Sequence, residues 1–269
     1  MTDSPGSGSS PLFDAKEFDE PSVFTPEALL ENARRQKDLP ECSVPDICLL
    51  DPDGDIVRHL KATGEADKVE TWPGYHTDLY RFERNGKVFG IVGCAVGASF
   101  AVLVAEQLFA AGCRFLVSVT SSGQIVLKDD PPYFVLIERA LRDEGTSHHY
   151  RSTSRYATLG DELSAPVEEA CKTVSRPVYT GTTWTTDAPF RETETAIERA
   201  RSEGVLAVEM EAAALYTFAE VRELPVVCVA HVTNQMGQTE DDFEKGEAAG
   251  SQDALEVIDA AAAAWQSLN

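Results

Sequence analysis

Apolar residues in this chain fall into short blocks set off by polar turns, and the blocks differ in period. Residues 21–45 hold a helical pattern in which Thr25 can cap the first turn and Pro26 can occupy it. After Pro45, the run Ile47-Cys48-Leu49-Leu50 reads as a short buried strand ending at Asp51-Pro52-Asp53-Gly54. Two apolar stretches, 79–82 and 88–92, flank Asn85-Gly86, a dipeptide that supplies the two positive-φ positions of a tight hairpin turn. From there helix and strand patterns alternate. Residues 99–111 predict a helix, 115–120 a strand, 132–144 a helix, 178–183 a strand and 192–202 a helix. The rest reads as a strand at 205–208, a helix at 211–222, a strand at 226–232 and a closing helix at 254–268. Continuous apolar strands alternating with helices predict a single α/β layered domain with a largely parallel or mixed sheet.

Composition narrows the setting. Hydrophobic residues make up 43% of the 269 positions, enough to bury a real core, yet no run approaches the ~18 apolar residues a membrane-spanning helix needs. The first ten residues are small and polar, with no basic-then-apolar signal, so a cytoplasmic protein is expected. Residues 1–20 read as a disordered tail and 21–269 as one domain. The six cysteines form no CxxC pair, and several sit in apolar runs, which suits small buried hydrophobes in a reducing compartment. Net charge is −22, and only eight of the 23 basic residues are lysine. Such a surface repels nucleic acid and anionic membranes, so neither is an expected partner. It also suits a salt-rich cytoplasm, where self-repulsion is screened.

In layered α/β domains ligands collect at the carboxyl ends of the strands. Four segments fall there: Ser121-Ser122-Gly123, Thr185-Thr186-Asp187, Glu209-Met210-Glu211 and Thr233-Asn234. The third is the most pointed, since two acids at a buried strand end cost stability unless partnered or left facing solvent. They can be acids capping the next helix against its positive dipole. They can equally form a grip in which a carboxylate accepts the vicinal hydroxyls of a ribose while methionine lies on the sugar's apolar face.

Val208-Glu209-Met210-Glu211-Ala212-Ala213 resembles the signature of the nucleoside phosphorylase superfamily, of the purine nucleoside and uridine phosphorylase type. Leu50-Asp51-Pro52-Asp53 is similar to that family's early Gly-Asp-Pro segment, and residues 115–123 resemble its strand and phosphate-contacting turn. Thr185-Thr186-Asp187-Ala188-Pro189-Phe190 looks like its base and ribose pocket segment. The resemblance covers roughly 45–265. It implies a three-layer α/β/α sandwich around a mixed, partly barrel-like sheet, a dimer-based oligomer up to a hexamer, and no cofactor beyond inorganic phosphate as co-substrate. It implies ribose binding by Glu209, Met210, Glu211 and Phe190, and phosphate binding by Ser121, Ser122 and Gly123. Thr185, Arg191 and Asn234 fall to the base, with Glu211 and Asn234 as the catalytic pair.

The departures concern the anion. Where the family supplies a glycine and two arginines to phosphate, this chain has Leu50, Gly54 and Ser118. Arg81, Arg84, Arg151, Arg155 or a neighbouring subunit are the candidate replacements. Asn234 stands where purine enzymes carry an acid, which favours a pyrimidine or another base over a standard purine. The expected reaction is phosphorolysis of a nucleoside, with hydrolysis by water and nucleoside binding without turnover as the alternatives. No metal site is expected. His148-His149 reads as a loop or pocket rim, since adjacent residues in an extended segment point apart, and His231 reads as a core histidine within an apolar strand. Asp187 is expected to orient its turn. Gly93 and Gly97 bracket a strand-to-helix turn that could approach an anion.

Overall fold

The computed structural model describes residues 10–14, 16–236 and 243–268. Of the expected tail, residues 1–9 and 15 lie outside this set. The strands are β1 Ile47–Asp51, β2 Ala66–Lys68, β3 Leu79–Arg84, β4 Lys87–Gly93, β5 Phe115–Gln124, β6 Tyr133–Asp143, β7 Tyr156–Thr158, β8 Val178–Thr186, β9 Ala207–Glu209 and β10 Val226–Asn234. The main helices are α1 Pro26–Lys37, α2 Asp55–Thr63, α3 Ala98–Ala110, α4 Asp161–Cys171, α5 Glu194–Ser202, α6 Ala212–Arg222 and α7 Ser251–Ser267.

One mixed sheet runs β10-β6-β8-β9-β5-β1-β4-β3-β2, with β7 paired to β6. A further pairing of β10 with β5 closes β5, β10, β6, β8 and β9 into a five-stranded ring. Helices α3 and α6 pack together on one side, with α1 against α3, while α7 meets α2 and α4 on the other. This is the expected three-layer arrangement around a partly barrel-like sheet. The core strands are buried on both faces, with Ile47, Leu49, Phe115, Val117, Val227 and Val229 almost fully enclosed. That is why their sequences are continuous apolar runs rather than alternating ones. No helix among the described residues is long and apolar enough to cross a membrane.

Local signals behave as their chemistry predicts. The Thr25 hydroxyl accepts the Ala28 N–H at 3.3 Å with Pro26 opening α1. Asn85 and Gly86 both take positive φ in the hairpin between β3 and β4. Thr193 caps α5, which therefore starts at Glu194, two residues later than predicted.

The clear correction is 132–144, a strand and not a helix. Helix formers fill its second half, Glu138-Arg139-Ala140-Leu141-Arg142, but Tyr133 to Ile137 form an unbroken aromatic and branched run. That run is wholly buried between the antiparallel β10 and the parallel β8, and tertiary pairing overrides local propensity. Helices α2 and α4 and the three-residue strands β2 and β7 also go beyond the predicted elements.

Candidate functional site

Closing the ring gathers the candidate segments on one rim. Gly123 at the end of β5 pairs with Val208 on β9 and with Asn234 on β10, and Thr185 on β8 pairs with Glu209. Four segments up to 113 positions apart in sequence thus become neighbours through ladder register alone.

The two acids of the motif have different jobs. Glu209 is 3% exposed, and its Oε1 accepts the hydroxyls of Thr183, at 3.1 Å, and Thr185. Its Oε2 accepts the backbone N–H groups of Glu211 and Ala212, each at 2.7 Å. Thr185 Oγ1 in turn accepts the Ala213 N–H at 2.9 Å. Glu209 and Thr185 together therefore satisfy three N–H groups at the start of α6 that no intrahelical carbonyl can reach. Burial raises the pKa of Glu209, and these donors oppose that. Both of its oxygens are committed within the chain.

Glu211 is 1% exposed but less engaged. Oε1 accepts the Gly97 N–H at 2.7 Å, and Oε2 has the Met210 N–H at 3.3 Å. Gly97 adopts φ +89 at the entrance to α3, a conformation that suits glycine, and its N–H donates to the Glu211 carboxyl group. Burial, then the charge of Glu209, lift the Glu211 pKa to about 8 against the Gly97 and Thr120 hydrogen bonds, with Asp53 adding a further upward push. Met210 lies beside it, half-buried.

In the segment expected to bind phosphate, which lies within β5, both donors of Ser121 are taken by Asp53. The Ser121 N–H lies 2.9 Å from Asp53 Oδ2, and the hydroxyl 3.0 Å from Oδ1. Ser122 Oγ is buried without a hydrogen-bond partner, as is Ser118 Oγ, deeper in β5. A side chain on Gly123 would collide with the Met236 sulfur, so the residue must be glycine while Met236 packs there. Asn234 shapes that packing: its Oδ1 accepts the Met236 N–H at 3.0 Å, and its amide reaches Ser122 O at 3.4 Å. Asp51 accepts the Gly54 and Val57 N–H groups that open α2, and burial raises its pKa to about 7.

Other predicted residues stand apart from this cluster. Phe190 and Arg191, in the turn Pro189–Arg191, are exposed, Phe190 fully so. The Asp187 carboxylate accepts the Gly145 N–H at 2.8 Å and so ties the end of β8 to the turn after β6. Trp184 sits in a small secondary core with Ile125, Ala200, Val205 and Val208. The four arginines proposed as phosphate ligands all face carboxylates in this chain: Arg81 with Glu83, Arg84 with Asp259, Arg151 with Glu220 and Arg155 with Glu203. His231 is buried and stacked on Phe134 at 4.6 Å between ring centroids, and burial lowers its pKa to about 4, so it is a neutral packed ring. His148 is also buried, with the Phe13 ring edge-on at 5.3 Å.

The phosphorylase superfamily matches residues 46–265 as a sequence family. This chain belongs to the phosphorylase superfamily. Among similar proteins, uridine phosphorylase of Thermococcus kodakarensis is 25% identical over 234 residues, 76% of this chain and 83% of that protein. Two crystal structures of uridine phosphorylase from Vibrio fischeri, one with 6-hydroxy-1-naphthoic acid, superpose with a TM-score of 0.66. They are 18% and 20% identical, cover 84% of this chain, and are themselves covered to 91% and 92%. At that identity they establish a shared fold. Sequence reasoning gave no role to Asp53 and Thr120, although both lie in segments it singled out, and it did not reach Lys245. Asp53 lies 68 positions from Ser121, and no local pattern links them.

Proposed function

We propose that the chain cleaves the N-glycosidic bond of a nucleoside by reversible phosphorolysis, releasing the base and (deoxy)ribose 1-phosphate, in the manner of a uridine phosphorylase. The observation that carries this reading is the division of labour in the motif. Glu209 is consumed in holding the start of α6, and Glu211, held by the Gly97 and Met210 N–H groups, is the acid left to act beside Met210. Glu211 accepts the ribose hydroxyls and, once ionised, favours the positive charge that grows on the sugar as the bond breaks. Met210 covers the sugar's apolar face. Ser121, Ser122 and Gly123 form the anion turn, and the unpartnered Ser122 hydroxyl is a donor in want of an acceptor. Asn234 faces the departing base, and Arg191 and Phe190, in their exposed turn, are the further candidates for base and ribose contacts. Thr185 acts through Glu209 as a positioning residue.

No cofactor is required, since phosphate is the co-substrate. The same reading places the enzyme in the cytoplasm as a homo-oligomer built from dimers, up to a hexamer, and light scattering tests the assembly. A second reading has one specific support. Because Asp53 holds both donors of Ser121, water can take the nucleophile's place and the products become base and free sugar. One assay separates the two: uridine, cytidine and purine nucleosides are followed with and without phosphate. Phosphate-dependent consumption with ribose 1-phosphate as product is expected. Equal consumption without phosphate supports hydrolysis, and tight binding with no consumption of any nucleoside defeats both.

A further inference from the structure

Asp53 meets Ser121 as an anion would. Its two oxygens take the N–H and the hydroxyl separately, at 2.9 and 3.0 Å, the two-point fit that a phosphate offers to paired donors. The side chain reaches this position because Asp51 holds the start of α2 and so fixes the turn between them. Lys245 completes the group: its Nζ lies 2.5 Å from Asp55 Oδ2 and 3.5 Å from Asp53 Oδ2. Burial would lower the lysine's pKa, but the contacts to Asp55 and Asp53 outweigh it and raise the value, so the ammonium stays charged. The space between Asp51, Asp53, Thr120, Ser121 and His231 measures only about 20 Å3. That volume holds about one water and no phosphate while Asp53 is in place. The carboxylate is not locked, however: 28% of the Asp53 side chain faces solvent.

We propose that Asp53 is a built-in competitor for the anion position at Ser121, and that Lys245 is the cation that faces phosphate once Asp53 turns away. Resting on the phosphorolytic reading above, this assigns phosphate recognition to residues the rest of the chain does not supply by arginine. Lys245 need not move, since its shorter contact is to Asp55, which lies outside the exchange. Phosphate then replaces Asp53 on the Ser121 N–H and hydroxyl, the two donors that Asp53 now holds. Asp53 thereby sets a threshold of phosphate concentration and discriminates against weakly bound anions.

The test pairs direct binding with turnover. Inorganic phosphate is titrated by calorimetry into the wild-type chain and the variants Asp53→Asn, Asp53→Ala and Lys245→Ala, and uridine consumption is followed across phosphate concentrations. Asp53→Asn keeps the shape and removes the charge, so phosphate binding should tighten about tenfold or more, the scale of one like-charge contact relieved near the surface. The phosphate KM should fall in step with the dissociation constant. Lys245→Ala should weaken phosphate by at least about tenfold. Two folded Asp53 variants that bind phosphate no more tightly than the wild type would overturn the competitor role. Unaltered phosphate affinity in Lys245→Ala would overturn the cation role even if the Asp53 variants failed to fold. Turnover indifferent to phosphate, with Asp53→Asn still tightening it, sinks the phosphorolytic reading alone. Phosphate-dependent turnover with flat affinities sinks the Asp53 assignment alone.

Discussion

Glu211 carries a consequence that can be measured without any substrate. Its pKa rises from the ordinary 4.5 to about 8 in the folded chain, because burial and the neighbouring Glu209 disfavour its charge. Between those two pH values the folded state keeps a proton that the unfolded state has lost, so stability falls as pH rises through that window. Glu211→Gln has no charge to gain and keeps an oxygen for the Gly97 N–H. The variant should match the wild type near pH 4.5 and become progressively the more stable of the two, by up to about 4 kcal/mol at pH 9. Urea melts across that range decide the matter, and a stability difference that stays constant with pH would mean Glu211 is ionised throughout. The same variant should lose most turnover, since it can no longer oppose the sugar's developing charge. Legibility at this scale followed distance in sequence. Glu209, Met210 and Glu211 could be read from six adjacent residues, whereas Asp53 acquires its meaning only from a serine on another strand. Nor could adjacency tell the two acids apart, because the contacts that distinguish them come from β8 and from the turn into α3.

The start of α6 shows how an element can be held by one buried side chain. Glu209 and Thr185 between them satisfy three opening N–H groups, and the helix beyond them is buried through Ala219, with no solvent to step in. Glu209→Ala leaves two of those donors and two threonine hydroxyls without their acceptor, at roughly 1–3 kcal/mol for each buried group left unmatched. A loss of at least about 3 kcal/mol is expected on that basis. Thr185→Val removes one donor and one acceptor and should cost about 2 kcal/mol. Both should lower kcat more than they raise the nucleoside KM, because they displace Glu211 without touching the sugar. Chemical denaturation midpoints equal to the wild type would show the cap to be dispensable. Elements were readable where a local device marks them, such as the Thr25 cap or the Asn85-Gly86 turn. They failed where neighbours decide. In β6 the helix-forming half is held extended by β8 from Arg139 to Arg142, after an irregularity at Glu138. Helix α2 begins at Asp55, directly after Asp51-Pro52-Asp53-Gly54, a stretch whose turn chemistry conceals the helix that follows.

Over the whole molecule, 45 acidic side chains face 23 basic ones, and the ring that assembles the site offers no internal relief from that excess. Salt acts on it in two opposing ways. It screens repulsion among the unpaired carboxylates, which stabilises the fold, and it weakens ion pairs, which destabilises it. Many of the pairs are strongly exposed, such as Arg114–Asp46 and Lys172–Glu169, and exposed pairs contribute only about 0–1 kcal/mol each. Repulsion should therefore win. The Debye length contracts from about 10 Å at 0.1 M to about 3 Å at 1 M, close to the separation of adjacent surface charges. Tm should accordingly climb by several degrees between 0.1 and 2 M KCl at pH 7.5. General strengthening of apolar burial by salt would raise Tm as well, and pH separates the causes. At the sequence pI of about 4.5 the excess charge has gone and little net repulsion is left to screen. The KCl effect should shrink there to a small fraction of its size at pH 7.5. Equal slopes at the two pH values would assign the effect to burial, and a Tm that falls with KCl would show that the ion pairs, exposed as many of them are, outweigh the repulsion.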